Sequence, residues 1–285
     1  MQFSLDCYPC ALRHTLQVLR HSGADEQAQT EIMRQVLRAL AEVDPFVTAP
    51  EFTGRMHDII RAATGVEDIY KEAKQASTQE ALALYPRLKK EIEQSSDPFE
   101  TAVRLSIAGN IIDLGAADTY DLEGSIQRVL TQPFAINHLD ALRQAIGQAG
   151  WVLYLADNAG ETVFDRLLIE RLEKPVVYAV KDAPVLNDAT REDARMAGLD
   201  EVTEIISCGA RTPGTLLAQC SADFIERFRA AEVIIAKGMG NFEALSTENA
   251  PLFFLLQVKC DMVGGDIGAP AGSIVVKGQR ISRKN

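Results

Sequence analysis

The chain predicts an α/β fold in which a helical amino-terminal part packs on a doubly wound, mostly parallel sheet. Two observations carry this. Up to about residue 147 the apolar residues recur only at helical spacing, and from Trp151 short apolar runs alternate with helical segments. Strands separated by helices pair in parallel, because the crossover between two parallel strands is long enough to be a helix and returns with one hand. The division expected is a helical domain over residues 1–147 and an α/β domain over 148–285, meeting near Gly147–Gly150.

In the first part, Ile32, Met33, Val36, Leu37 and Leu40 form one helical stripe, and Leu82, Leu84, Leu88 and Ile92 suggest another. Pro45 and Pro50 punctuate it. Ser95-Ser96-Asp97-Pro98 reads as a helix stop, then a cap and a proline at the first helical position, opening a helix to about Ile112. No strand of convincing length stands in this half. The second part opens with Trp151–Ala156, apolar throughout, as a strand covered on both faces is. Val163, Phe164, Leu167, Leu168 and Leu172 then recur as an amphipathic helix. Further strands are expected at Val176–Val180, Val202–Ser207, Val233–Ala236, Leu252–Val258 and Ile274–Val276.

Composition narrows the function. The chain has 285 residues, 47% hydrophobic and 24% charged, as folded proteins do. A net charge of -11 argues against nucleic acid or an anionic membrane as partner. No apolar run approaches the ~20 residues that span a bilayer. Met1–Asp6 lacks a basic region followed by an apolar core, so no secretory signal is expected. Five cysteines, an odd number, point to reduced thiols and a cytoplasmic setting.

Three strand ends carry polar clusters: Asp157-Asn158-Ala159-Gly160-Glu161, then Leu186-Asn187-Asp188-Ala189-Thr190 with Asp193 following, then Lys237-Gly238-Met239-Gly240-Asn241-Phe242-Glu243. A parallel sheet sets the carboxyl ends of its strands on one edge, where open α/β sheets bind ligands. Two carboxylates and an amide oxygen, completed by water, suit magnesium or manganese, with nickel or cobalt also open. Each piece has a plainer reading. Asp157 and Asp188 with Thr190 can be helix caps, Asp193 a solvated first-turn acid, and Lys237 a surface lysine. Convergence of three such clusters favours a site.

Taken in order, the three clusters resemble the damage-control phosphatase family, also catalogued as domain of unknown function 89. Cys7-Tyr8-Pro9-Cys10 is similar to the Cys-x-x-Cys mark of its prokaryotic branch, and Gly109-Asn110-x-x-Asp113 to that branch's Gly-Asn-x-x-Asp motif. The resemblance covers essentially the whole chain. It implies a metal-dependent phosphatase of small phosphate esters, including sugar phosphates and damaged phosphometabolites. It further implies Asp157, Asn158 and Asp188 as ligands of a divalent metal (Mn, Ni, Co or Mg). Lys237, Gly238 and Asn241 then line a phosphate pocket, with Lys259 as a further phosphate-binding lysine and Asn110 and Asp113 at its wall.

The chemistry agrees with that assignment. A phosphate monoester carries close to two negative charges, which must be neutralised while a water is aligned with the leaving oxygen. Ala159 stands where phosphatases that form a phosphoaspartate carry a second aspartate, so water is the favoured nucleophile. Glu161 is a candidate orienting group or proton acceptor. Asn110 and Asp113 also read as a polar pair in tight helix packing. Cys7 and Cys10 can be half of a zinc site, a redox pair or packed small residues. Zinc would need His14, His57, Cys208 or Cys260, none of them in a second close pair, so packing or an occasional metal is the reading. Together with His21 and His138 the histidines show no ligand spacing, which disfavours a zinc hydrolase.

Two other classes compete. A nucleotide- or cofactor-binding domain, a methyltransferase or dehydrogenase, would use Gly238-x-Gly240, but Glu243 replaces the third glycine of that fingerprint. A non-catalytic metal-binding protein would use Asp157, Asn158 and Asp188 for stability. Turnover of a phosphate ester separates these readings; metal-induced stabilisation does not.

Overall fold

The computed structural model describes residues 3–44, 46–110 and 121–280. Six helices come first: α1 (Cys7–His21), α2 (Glu26–Ala41), α3 (Ala49–Thr64), α4 (Lys71–Gln94), α5 (Pro98–Gly109) and α6 (Leu122–Thr131). There follow β1 (Phe134–Asn137), α7 (Leu139–Gln148), β2 (Val152–Leu155), α8 (Thr162–Ile169), β3 (Val176–Val180), α9 (Arg191–Met196), β4 (Glu204–Ser207) and α10 (Ala222–Ala230). The chain continues through β5 (Ile234–Lys237), α11 (Gly238–Leu245), β6 (Leu252–Gln257), α12 (Asp261–Ile267) and β7 (Ile274–Gly278).

The seven strands order as β1-β7-β6-β5-β2-β3-β4. From β6 to β4 every pairing is parallel; β7 runs antiparallel to β6, and β1 is parallel to β7. The sheet is therefore mostly parallel, as expected. β1 is a correction: a strand stands at Phe134–Asn137, before the expected boundary. Its four residues alternate between half-buried and exposed, and they pair with β7 alone. So short an edge strand carries little of the apolar signal that marks a buried one.

Strand periodicity assigns each central side chain to a face. Val152, Tyr154, Val176, Tyr178, Val180 and Ile235 join the core formed with α4 to α8. Leu153, Leu155, Val177, Ala179, Ile234 and Ala236 join the core formed with α10 to α12. This is why the central runs are apolar throughout. α1, α2 and α3 close a third cluster around Val18, Val36, Phe52 and Ile60. α5 packs on α8 through Gly109, where a β-carbon would lie 2.9 Å from Phe164 Cβ. Among the described residues no helix is long and apolar enough to cross a membrane.

The strand order reverses between β2 and β5, so a crevice opens between their carboxyl ends, the place where open α/β sheets hold ligands. Asp157 follows β2, and Gly238 follows β5.

Candidate functional site

Two turns form the site, and backbone hydrogen bonds stitch them together. Asn158 and Asp188 form an isolated antiparallel bridge. Ala159 N–H donates to the Asn187 carbonyl at 2.8 Å, and Ala189 N–H donates to the Asp157 carbonyl at 2.8 Å. Leu186, just before, holds a left-handed backbone with φ 50°, a conformation costing roughly 1 kcal/mol or more outside glycine. Asp157, Asn158 and Asp188 are thus brought together as expected. None is a helix cap. α8 starts at Thr162, and the cap of α9 is Thr190, whose capping box with Asp193 is complete.

Beneath the turns lies a fully buried polar network. Glu161 is its centre: Oε2 accepts from Asn110 Nδ2 at 3.0 Å and from Asn158 Nδ2 at 3.1 Å, and Oε1 accepts from Lys237 Nζ at 2.5 Å. Lys237 also donates to Asp165 Oδ1 at 2.6 Å and to the Ser106 carbonyl at 2.9 Å. Asp165 further accepts from Tyr154 and Tyr178, each at 2.7 Å, and from Ser106 Oγ at 3.1 Å. Burial alone would push the Lys237 ammonium down, but the Asp165 and Glu161 carboxylates outweigh it and hold the ammonium above its ordinary value. Burial and the Asp165 charge push both phenols well up, so they stay protonated donors.

The damage-control phosphatase ARMT1-like domain matches residues 3–275 of the chain. The chain belongs to this family. It is 32% identical to a damage-control phosphatase of Pyrococcus horikoshii, over 96% of this chain and 97% of that protein. It is also 32% identical to a damage-control phosphatase of Archaeoglobus fulgidus, over 97% of this chain and 99% of that one. The crystal structure of a domain-of-unknown-function-89 family protein from Pyrococcus horikoshii superposes with a TM-score of 0.90 at 31% identity, covering 98% of this chain and 100% of that chain.

Several residues of this family member sit where the sequence places them, in different company. Lys237, expected in the phosphate pocket, shares strand parity with Ile235 and therefore points under the turn towards α8. All three of its ammonium hydrogens are taken, by Glu161, Asp165 and the Ser106 carbonyl. Asn241 is likewise committed: its amide donates to the Ala156 and Lys237 carbonyls and accepts from Thr215, tying β2, β5 and a distant loop together. Gly238 has φ +74°, and a β-carbon there would overlap the Asp157 carboxylate, so only glycine lets α11 start against that side chain. Asn110 is the carboxyl-terminal cap of α5, which ends at Gly109; Ile112, the expected end of the helix, lies outside the described residues. Asn110 donates to Asp157 Oδ2 at 2.7 Å, while its own Oδ1 is buried with no hydrogen-bond partner among the described residues. Gly109 packs on Phe164 while the neighbouring Asn110 amide faces Asp157 and Glu161. Asp113 lies outside the described residues. Lys259 follows β6 on the same edge, and its charge acts on Asp157.

Asp193 is a further correction. It is buried, not solvated, and accepts from Lys74 Nζ at 2.9 Å. Cys7 contacts Ser4, with its Sγ 3.4 Å from both the amide nitrogen and Oγ, and Cys10 is exposed. The sequence reading missed Asp165 and Lys181. Asp165 lies one helical turn after Glu161, on the same face of α8, and that spacing could have disclosed it.

The site is short of positive charge. Burial pushes the Asp157 carboxyl well above the usual range, the Glu161 and Asp188 charges push it further, and Lys259 and Lys181 pull back only part. Among the described residues no three His, Cys, Asp or Glu side chains converge tightly enough to hold a metal by themselves. A ligand set built from Asp157 and Asp188 must therefore take its other oxygens from an amide and water. Asn158 sits beside both aspartates, and a hard divalent cation accepts such oxygens. The excess of carboxylate charge, the amide neighbour and an Asn110 Oδ1 with no partner among the described residues fit that ion.

Proposed function

We propose that this protein is a divalent-metal-dependent phosphatase of small phosphate monoesters, sugar phosphates or damaged phosphometabolites. The observation that carries it is the stitching of Asp157 and Asn158 to Asp188 directly against the glycine-only start of α11, at the switch point of the sheet. Support comes also from family membership and from relatives named damage-control phosphatases.

In this reading Asp157, Asn158 and Asp188 hold Mn, Ni, Co or Mg. When bound, the ion supplies the positive charge that offsets the phosphate and polarises the phosphorus. The protein does the rest. The first backbone N–H groups of α11 have no side-chain cap and lie beside Asp157, where the helix dipole and the bare glycine backbone favour an anion. Lys259 adds charge from the next strand end. Glu161 acts by orientation: its oxygens are taken by Lys237, Asn110 and Asn158. Asp157 Oδ2 accepts from both Asn110 and Asn158, which lowers its nucleophilicity and favours water as the attacking group. The substrate is an expectation of small, phosphorylated and soluble chemistry; the net charge of -11 stays unfavourable to nucleic acid.

The test is a screen of the purified chain across phosphorylated sugars, nucleotides and cofactor fragments, with each metal and with chelator. Metal-dependent release of inorganic phosphate from at least one class is the expected result. No release from any of them, with every metal, defeats the reading.

A further inference from the structure

A cation deeper in the site has a spare hydrogen-bond donor. We propose that Lys181 is the buried lysine that meets the substrate phosphate, the position that Lys237 would take on motif alone; this rests on the phosphatase reading above. The two lysines are both buried and both follow or end a central strand, but they face opposite sides of the sheet. Lys237 shares parity with Ile235 and spends its three hydrogens on Glu161, Asp165 and the Ser106 carbonyl. Lys181 shares parity with Val177 and Ala179, the face on which α11 lies, and with it the Asp157 side of β2.

Lys181 is 3% exposed. Its ammonium donates to the Gly214 carbonyl and lies 3.6 Å from Asp188 Oδ2. An ammonium has three hydrogens, and the third has no acceptor among the described residues. A buried charge left with an unfilled donor is costly unless a ligand completes it. The anchor is informative too. At Gly214 a β-carbon would overlap the Gly240 carbonyl, so the loop that holds Lys181 rests on the first turn of α11. Lys181 therefore stands between Asp188 and the amino end of that helix. An anion seated on the helix start and drawn to the ion at Asp157 and Asp188 falls within its reach. The lysine's charge is also felt at Asp157. The ligand chemistry is a phosphate monoester or the inorganic phosphate it releases.

The test is calorimetric, on the full-length chain, with manganese titrated first and inorganic phosphate then titrated into the manganese-loaded protein. Lys181→Met should bind manganese within about threefold of wild type and bind phosphate at least tenfold more weakly. Lys181→Arg should regain part of that loss. If Lys181→Met does not fold, Lys181→Gln, which keeps a donor for Gly214 but carries no charge, is read by the same criteria. Phosphate affinity within twofold of wild type in the uncharged variant overturns the assignment. So does a parallel loss of manganese, which would make Lys181 a support of Asp188 instead. Lys181→Arg no better than Lys181→Met overturns it as well. Wild type that takes up neither manganese nor phosphate defeats the phosphatase reading itself, and that result is seen before any variant is made.

Discussion

Two lysines in this molecule are each buried against two carboxylates, and the two clusters differ in what lies beyond them. Lys74 on α4 pairs with Asp68 at 2.8 Å and Asp193 at 2.9 Å, and Asp193 also closes the capping box of α9 through Thr190. Asp68 reaches the rim, with its side chain 15% exposed. Lys237 pairs with Glu161 and Asp165, all three without any exposure. Its cluster does not end there, because Glu161 also accepts from the amides of Asn110 and Asn158, and both of these donate to Asp157 as well. One cluster is a clamp between a helix of the amino-terminal half and the α/β half. The other is the floor of a site whose upper carboxylates are offset only in part, by Lys181 beside Asp188 and by the charges of Lys259 and Lys181 on Asp157. Burial of an ion pair does not mark function; an unfinished charge balance above it does.

Removing the cation from each cluster is the sharpest way to break the comparison. Lys237→Met strands two carboxylates with no water to receive them, and should cost about 3–5 kcal/mol in urea unfolding, with turnover lost as Asn110 and Asn158 lose their anchor. Lys74→Met should cost less, about 2–3 kcal/mol, because Asp68 can rehydrate at the rim. The folded fraction of that variant should keep its turnover within about threefold of wild type, and a stability loss equal to that of Lys237→Met would erase the distinction. A third effect is set by pH. His57 is buried with no partner for its Nε2 among the described residues, and burial, followed by the charges of His14 and Arg61, lowers its pKa to about 3. The unfolded chain binds a proton near pH 6.5 that the folded chain refuses, so this contribution is present above pH 6.5 and is lost as pH falls towards 3. Near pH 4.5 the loss should amount to about 2–3 kcal/mol. Urea midpoints of wild type and His57→Gln should then converge or cross between pH 7 and 4.5; parallel pH dependences would show that His57 is not the cause. Smallest is Gly109→Ala. Its β-carbon would press on Phe164 and shift α5 against α8, with a predicted loss of about 1–3 kcal/mol in the same assay.

How much of this was legible follows from where the signals lie. The central strands announced themselves because both faces are covered, and β2 and β3 fall within the apolar runs at Trp151–Ala156 and Val176–Val180. β1 did not, because an edge strand with one partner needs little apolar content. That the clusters around Asp157 and Asp188 can converge was legible from the strand ends, since a parallel sheet sets them on one edge; the particular trio Asp157, Asn158 and Asp188 came from the family resemblance. What Lys237, Asn241 and Lys181 touch was not, because their partners come from α5, α8 and the loop at Gly214–Thr215, and only the packing of those elements decides them. Asp193 and Lys74 were hidden for another reason: their pairing joins helices from the two halves, and no local pattern reports it.

The central claim is that the turn Asp157-Asn158, stitched to Asp188, is the metal end of a phosphatase site. The most direct measurement is manganese-dependent hydrolysis of p-nitrophenyl phosphate by wild type and Asp157→Ala, with a urea melt of each. The account predicts metal-dependent turnover in wild type and a loss of at least about a thousandfold in Asp157→Ala on a chain that still unfolds cooperatively. Near-normal, metal-dependent turnover by the folded variant would contradict it.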